Sequence, residues 1–270
     1  MAKEFLLKCF GRTKENGSIA MVMLNGIMSP EQKLRFTQMK NVPACVFVDE
    51  KQQDLAGIKS DLLLLDFYYD YGQSPLCIHA TLAAGYVYFQ QHNDKTKVSA
   101  VTALGQRLLI SKQDGNIYVT LCPMPVPRFE FTKDLIADVL AMHSINSIKN
   151  YYLASVGSPK LCVELDSIEH LFSLNPNLAQ IMLWSKNNKI SGLYVYVKIE
   201  ANTFVGRNFN HYNPDKEDVA TGVSAGALTV YYQRDLTVYQ GQNFNNHCVI
   251  YTYYTADNQV LVGGAVEEKN

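Results

Sequence analysis

The sequence is short of charge. Asp, Glu, Lys and Arg make up 18% of its 270 residues, against a usual ~25%. Their balance is a net −1, and the Lys and Arg are scattered with no basic run. No strong field therefore recruits nucleic acid or anionic lipid, and neither is expected as a partner. No window of ~18 apolar residues occurs, so no membrane-spanning helix is expected. The segment from Met1 to Lys8 lacks the long apolar stretch of a signal peptide. Six cysteines (Cys9, Cys45, Cys77, Cys122, Cys162, Cys248) stand far apart without a C-x-x-C pair, which argues against zinc and against a secreted disulfide framework. No Cys/His set has metal-ligand spacing and no Gly-rich phosphate loop follows a strand, so neither a metal nor an organic cofactor is expected. The expectation is a soluble, cytoplasmic chain with reduced thiols.

What is present is apolar: 47% of the residues are hydrophobic. A chain of this length buries a sizeable core and has room for two domains. An internal repeat points the same way. His79–Phe89 runs small and apolar, then aromatic, and Gly222–Tyr232 has the same character; Ala80 and Val223 are 143 positions apart. Gly105-Gln106 follows the first segment and Gly241-Gln242 the second. Turns at Asp114-Gly115 and Asp257-Asn258, again 143 apart, each divide two alternating runs. Asp-Gly between such runs signals a hairpin. The unit is a helix followed by a hairpin, present twice.

Cys122-Pro123-Met124-Pro125-Val126-Pro127 marks the boundary. Proline donates no N–H and fixes φ, so this stretch reads as an extended linker. The expected domains are 1–122 and 123–270. Lys133–Leu140 has helical spacing. Strands are expected at Ala20–Leu24, Ala44–Val48, Asp61–Tyr69, Arg107–Ile110, Ile117–Leu121, Lys160–Glu164, Leu193–Ile199, Cys248–Tyr254 and Val260–Gly263. Many strands with few helices give an α+β class. The two Ala/Gly-rich helices, Thr81–Phe89 and Ser224–Tyr232, are small nearly all round. Each suits the centre of a curled, barrel-like sheet, because small side chains allow close approach; one ordinary buried helix per domain is the alternative.

Leu76-Cys77-Ile78-His79-Ala80-Thr81-Leu82-Ala83-Ala84 resembles the L-C-G-H-A-T-L-A-A motif of PhzF-type phenazine-biosynthesis proteins. Glu217-Asp218-Val219-Ala220-Thr221-Gly222-Val223-Ser224-Ala225-Gly226-Ala227-Leu228 resembles their E-D-P-A-T-G-S-A-A-G-A-L. Ala154–Pro159 is similar to the family's mid-chain strand entry, and Gly17–Val22 to a weak G-N-P-A-A-V. The order and spacing hold over nearly the whole chain. The resemblance implies a diaminopimelate-epimerase-like fold of two pseudo-symmetric halves, each a sheet curled round a central helix, with an active site in the cleft between. It implies a cofactor-independent isomerase or epimerase of small carboxylic acids, commonly a homodimer.

The pattern is broken where the chemistry lies. The family carries S-E-T-A-F, whose Glu is the principal acid/base; here that position reads Ala44. Alanine moves no proton, so the shuttle cannot run by that route. The glycine of C-G-H is Ile78, the proline of E-D-P is Val219, and the serine of T-G-S is Val223. His79 and Asp218 remain, and the resemblance makes them the catalytic candidates, with Cys77, Ala80, Thr221, Gly222 and Val223 as substrate-binding positions. A histidine at a helix start suits a carboxylate ligand or proton transfer; the alternative is a core or capping histidine. Asp218 alone reads as an acid favoured at a helix N-terminus. Cys45 and Cys77 are either thiol bases or small buried hydrophobes. His211, His247 and Arg207 are expected to be structural or superficial. Two functions stay open: an isomerase-family protein acting on or binding a small acid, and an inactive ligand-binding or scaffold protein on the same fold.

Overall fold

The computed structural model describes residues 2–55, 58–128, 130–210, 212 and 216–269. The chain divides into two compact units, Met1–Thr120 with Gly263–Asn270, and Leu121–Val262. The last eight residues thus belong with the first unit, not with the half that the 122/123 boundary assigns them to. The reason is pairing: Val266 faces Cys9 and Glu268 faces Leu7 across an antiparallel ladder.

The first unit contains β1 (Lys3–Cys9), β2 (Ser18–Leu24), α1 (Pro30–Lys40), β3 (Cys45–Leu55), β4 (Ile58–Tyr69), β5 (Gly72–Ser74), α2 (Ile78–Gln91), β6 (Lys97–Thr102), β7 (Arg107–Gln113) and β8 (Asn116–Leu121). With the C-terminal strand Val266–Glu268 first, the order across the sheet is that strand, β1, β2, β3, β4, β6, β7, β8, with β5 beside β4. The β2–β3 and β4–β6 pairs are parallel. Helix α2 touches strands from both ends of that order, β1, β2 and the C-terminal strand on one side and β7 on the other, so the sheet curls around it. The small residues have a steric cause: a Cβ on Gly85 would stand 2.5 Å from Ile110 Cγ2. The β7–β8 turn forms as expected, with Asp114 (φ 49) and Gly115 (φ 80) both left-handed, the signature of a tight hairpin turn.

The second unit contains α3 (Lys133–Val139), β9 (Ile148–Ala154), β10 (Lys160–Leu165), α4 (Ile168–Ser173), α5 (Leu178–Asn187), β11 (Leu193–Lys198), β12 (Thr203–Phe209), α6 (Gly222–Tyr232), β13 (Leu236–Gln240), β14 (Cys248–Tyr254) and β15 (Val260–Gly264), the last crossing the boundary. The strand order is β15, β14, β13, β12, β11, β10, β9. Helix α6 touches β9, β10, β13 and β14, again from both ends of the order. A Cβ on Gly226 would come within 2.7 Å of Val156 Cγ2. On the other face, Ile136 of α3, Leu171 of α4 and Ile181 of α5 pack against Leu161, Val163 and Val195.

Three helices escape the apolar-period reading. Helix α1 has only Phe36 and Thr37 buried and is defined at its ends: Ser29 and Gln32 form a reciprocal capping box, Pro30 opens the first turn, and Asn41 closes it at φ 48. Helices α4 and α5 begin on Ser167 and Asn177, whose side chains accept a first-turn N–H. Strand β3 starts at Cys45, not Ala44, and runs on through polar Asp49–Gln52 as one arm of a long hairpin with β4.

Candidate functional site

Helix α2 begins at Ile78 with Cys77 as its N-cap, and no side chain caps it. The Cys77 side chain thus does not satisfy a first-turn N–H, the kind of group that attracts an anion at a helix start. Cys77 Sγ lies 3.5 Å from His79 Nδ1, and Cys9 Sγ donates to the His79 carbonyl at 3.1 Å. Burial holds the His79 imidazole down at about 4, so it is neutral at pH 7. Ala80 is fully buried and offers a ligand only its backbone. Ile78 is 3% exposed, so its branched side chain is buried.

Ala44 is completely buried; its carbonyl accepts the Met21 N–H at 2.9 Å and so begins the β2–β3 pairing. Cys45 is buried too, and burial pushes its thiol up. A thiol held protonated is a poor base, and Cys45 packs as a small hydrophobe.

Asp218 in the second unit is the better-built group. Its Oδ2 accepts from Asn208 Nδ2 at 2.6 Å and from the Thr221 hydroxyl at 3.2 Å. Its Oδ1 accepts from Asn210 Nδ2 at 3.1 Å and from the Tyr212 hydroxyl at 3.0 Å. Burial raises the Asp218 carboxyl above its usual range, opposed by the Lys160 charge and by the donors Tyr212, Thr221 and Asn210. Thr221 is the N-cap of α6 but makes no capping bond. Its hydroxyl is taken by Asp218 and by Gln240 Nε2 at 3.1 Å. Gln240 also holds the Asp218 carbonyl at 2.7 Å and the Thr221 N–H at 3.2 Å. The start of α6, at Gly222 and half-buried Val223, is consequently uncapped like that of α2.

Lys160, Asn208, Asn210, Tyr212 and Gln240 carry no signal in the sequence. Lys160 is 2% exposed, and its ammonium donates to the Ser191 carbonyl. Burial lowers it to about 8, with Asp218 and Cys162 pulling the other way, so it is mostly charged at pH 7. Arg207 is structural, but buried rather than superficial: it forks onto Glu217 and donates to the carbonyls of Leu171 and Leu174, both at 2.8 Å. His247 is exposed, and His211 lies outside the described residues. The geometry joins Cys77 to His79 and Asp218 to Thr221, and it sets each pair at an uncapped helix start.

Residues 17–265 match the sequence profile of the family described as phenazine biosynthesis-like protein. A phenazine biosynthesis-like domain-containing protein of Rattus norvegicus is 26% identical, with 90% of this chain and 88% of that protein covered. The crystal structure of the Bacillus anthracis phenazine biosynthesis protein of the PhzF family superposes with a TM-score of 0.81 at 16% identity, covering 100% of this chain and 98% of that one. A hydroxyproline epimerase of Agrobacterium vitis, with bound trans-4-hydroxy-L-proline, gives 0.60 at 10% identity, covering 100% and 90%. The match spans both helix starts and nearly all strands, and the chain belongs to the phenazine biosynthesis-like (PhzC-PhzF) family, with an epimerase-type α+β fold in which each unit wraps a central helix.

Proposed function

We propose that the protein binds a small carboxylic acid at these helix starts and lacks the proton transfer usual in its family. Asp218 and His79 are the residues facing the acid, and Thr221, Gly222, Val223, Cys77 and Ala80 supply the surrounding contacts. One observation carries the reading: Thr221 gives its hydroxyl to Asp218 and not to its own helix, which leaves an uncapped turn beside a carboxylate held by four donors. An anion at that turn is favoured by the N–H groups and the dipole. The buried methyl of Ala44, where the resemblance expects Glu, is the reason to doubt turnover. General acid/base catalysis supplies roughly 10²–10⁴-fold, which a methyl group forfeits.

A second reading, an isomerase with His79 and Asp218 as its acid/base groups, is favoured by the Asp218 carboxyl that burial raises above its usual range. The epimerase that shares the fold binds a small amino acid, which fits the proposed ligand class. The acid site is further proposed to work without metal or organic cofactor, in a cytoplasmic homodimer.

The test is binding of small carboxylic acids followed by NMR, with solvent-deuterium incorporation into the same acids. Binding is expected, weakened by Asp218→Ala, with exchange near background in the wild type and in Ala44→Glu. Restoring a carboxylate at 44 does not suffice, because Ile78 and Val223 also depart from the pattern and misplacement by about 1 Å can cost ~10²-fold. Affinity is expected to fall as pH rises, because an anionic ligand disfavours ionised Asp218. Robust exchange lost on His79→Ala or Asp218→Asn would establish the second reading. Light scattering checks the dimer against the 30.4 kDa chain.

A further inference from the structure

Away from the start of α2, at its far end, three side chains from three elements converge: Glu50 on β3, Asp61 on β4, and His92 at the C-cap of α2. One ligand atom from each lies within 4.8 Å of the other two. His92 Nε2 stands 3.0 Å from Glu50 Oε1. Donors bound at about 2.1 Å to one ion stand about 3.0–3.4 Å apart at octahedral or tetrahedral angles. From His79 to His92 the helix rises about 20 Å at 1.5 Å per residue.

We propose that Glu50, Asp61 and His92 form a structural site for a divalent transition-metal ion of the zinc type. One imidazole and two carboxylates are the donor set such ions take, with water filling the open positions. Three further observations support a cation here. The Tyr88 hydroxyl donates to Asp61 Oδ2 at 2.5 Å, and its ring stacks on His92 with centroids 4.4 Å apart. It thereby orients two of the three ligands, as outer-shell partners do. Among the described residues no Lys or Arg pairs with Glu50 or Asp61. The C-terminal end of a helix adds negative potential from its open carbonyls. The ion ties the β3–β4 hairpin to the end of the central helix, so its role is to stabilise the first unit and not to react.

The test uses the full chain, stripped by chelator and titrated with zinc by calorimetry and with cobalt by visible absorption. One ion per chain is expected, with a rise in melting temperature. Glu50→Gln, Asp61→Asn and His92→Ala should each weaken binding by at least ~10-fold, and Tyr88→Phe by about 10-fold. Circular dichroism confirms that the variants fold. His170→Ala, which removes another histidine–carboxylate pair, with Asp166 at 2.6 Å, should change nothing. Chelation should leave acid binding intact, so that the two proposals fail separately. The site is overturned if the wild type shows no saturable binding, which leaves only a His92–Glu50 ion pair. It is equally overturned if binding persists in both His92→Ala and Asp61→Asn.

Discussion

At the scale of the residue, burial decides how the ionisable groups behave. His79 has an ordinary value of 6.5 that falls to about 4 in the folded chain. A depressed histidine binds fewer protons folded than unfolded. Its contribution is therefore complete above pH 6.5 and is lost as pH falls towards 4. The ceiling is about 3 kcal/mol, less for a partly exposed ring. His79→Gln should flatten melting temperature against pH between 6.5 and 4; an unchanged slope would place the acid sensitivity elsewhere. Arg207 and Glu217 are a pair with side chains 7% and 11% exposed. Arg207→Met leaves a carboxylate nearly buried and unpaired, at a cost of about 3–5 kcal/mol. Urea denaturation should show that loss, and Glu217→Leu in the same chain should recover part of it.

At the scale of the element, the central helices are specified by what they omit. Gly85 and Gly226 each lie where a methyl group would overlap a β-branched side chain, Ile110 in one unit and Val156 in the other. Overpacking of this kind costs about 1–3 kcal/mol. Gly226→Ala should be destabilising by that amount, although alanine is the better helix former in isolation by about 1 kcal/mol. A stabilised Gly226→Ala would mean that α6 sits more loosely than the distances allow. Val156→Ala in the same background should relieve part of the strain. The helices missed from the sequence are those whose apolar faces are short: α1 buries two residues and α4 one. Their starts were legible in principle as Ser-Pro-Glu-Gln and Asp-Ser-Ile-Glu, patterns of capping and not of periodicity.

At the scale of the whole molecule, the thiols give a direct check. Five of the six cysteines are buried and Cys122 alone is exposed, with no disulfide among them. An aromatic disulfide reagent should label one thiol quickly in the native protein and all six after denaturation. Two or more fast thiols would contradict the packing of both cores. Cys122 opens the proline stretch at the expected boundary, and no helix or strand forms over residues 122–128. The chain then departs from a simple halving, because its C-terminal strand returns to pair with β1.

The family, the α+β class, the two small-residue helices and the two hairpin turns were all legible in the residues alone. These features are written in local patterns: runs of Ala and Gly, Asp-Gly between alternating strands, and two long motifs in order. The sequence also placed His79 and Asp218 at helix starts, since the motif and the helix share residues. What surrounds them came from packing across the sheets. Lys160 lies 58 positions before Asp218 and Gln240 lies 22 after it, and β-strand pairing, not spacing, brings them into one network. The same holds for Glu50, Asp61 and His92, drawn from two strands and a helix end with no ligand spacing to announce them. Side chains that meet across a curled sheet leave no period in the chain, because their separation is set by loop lengths and register and not by the repeat of any one element.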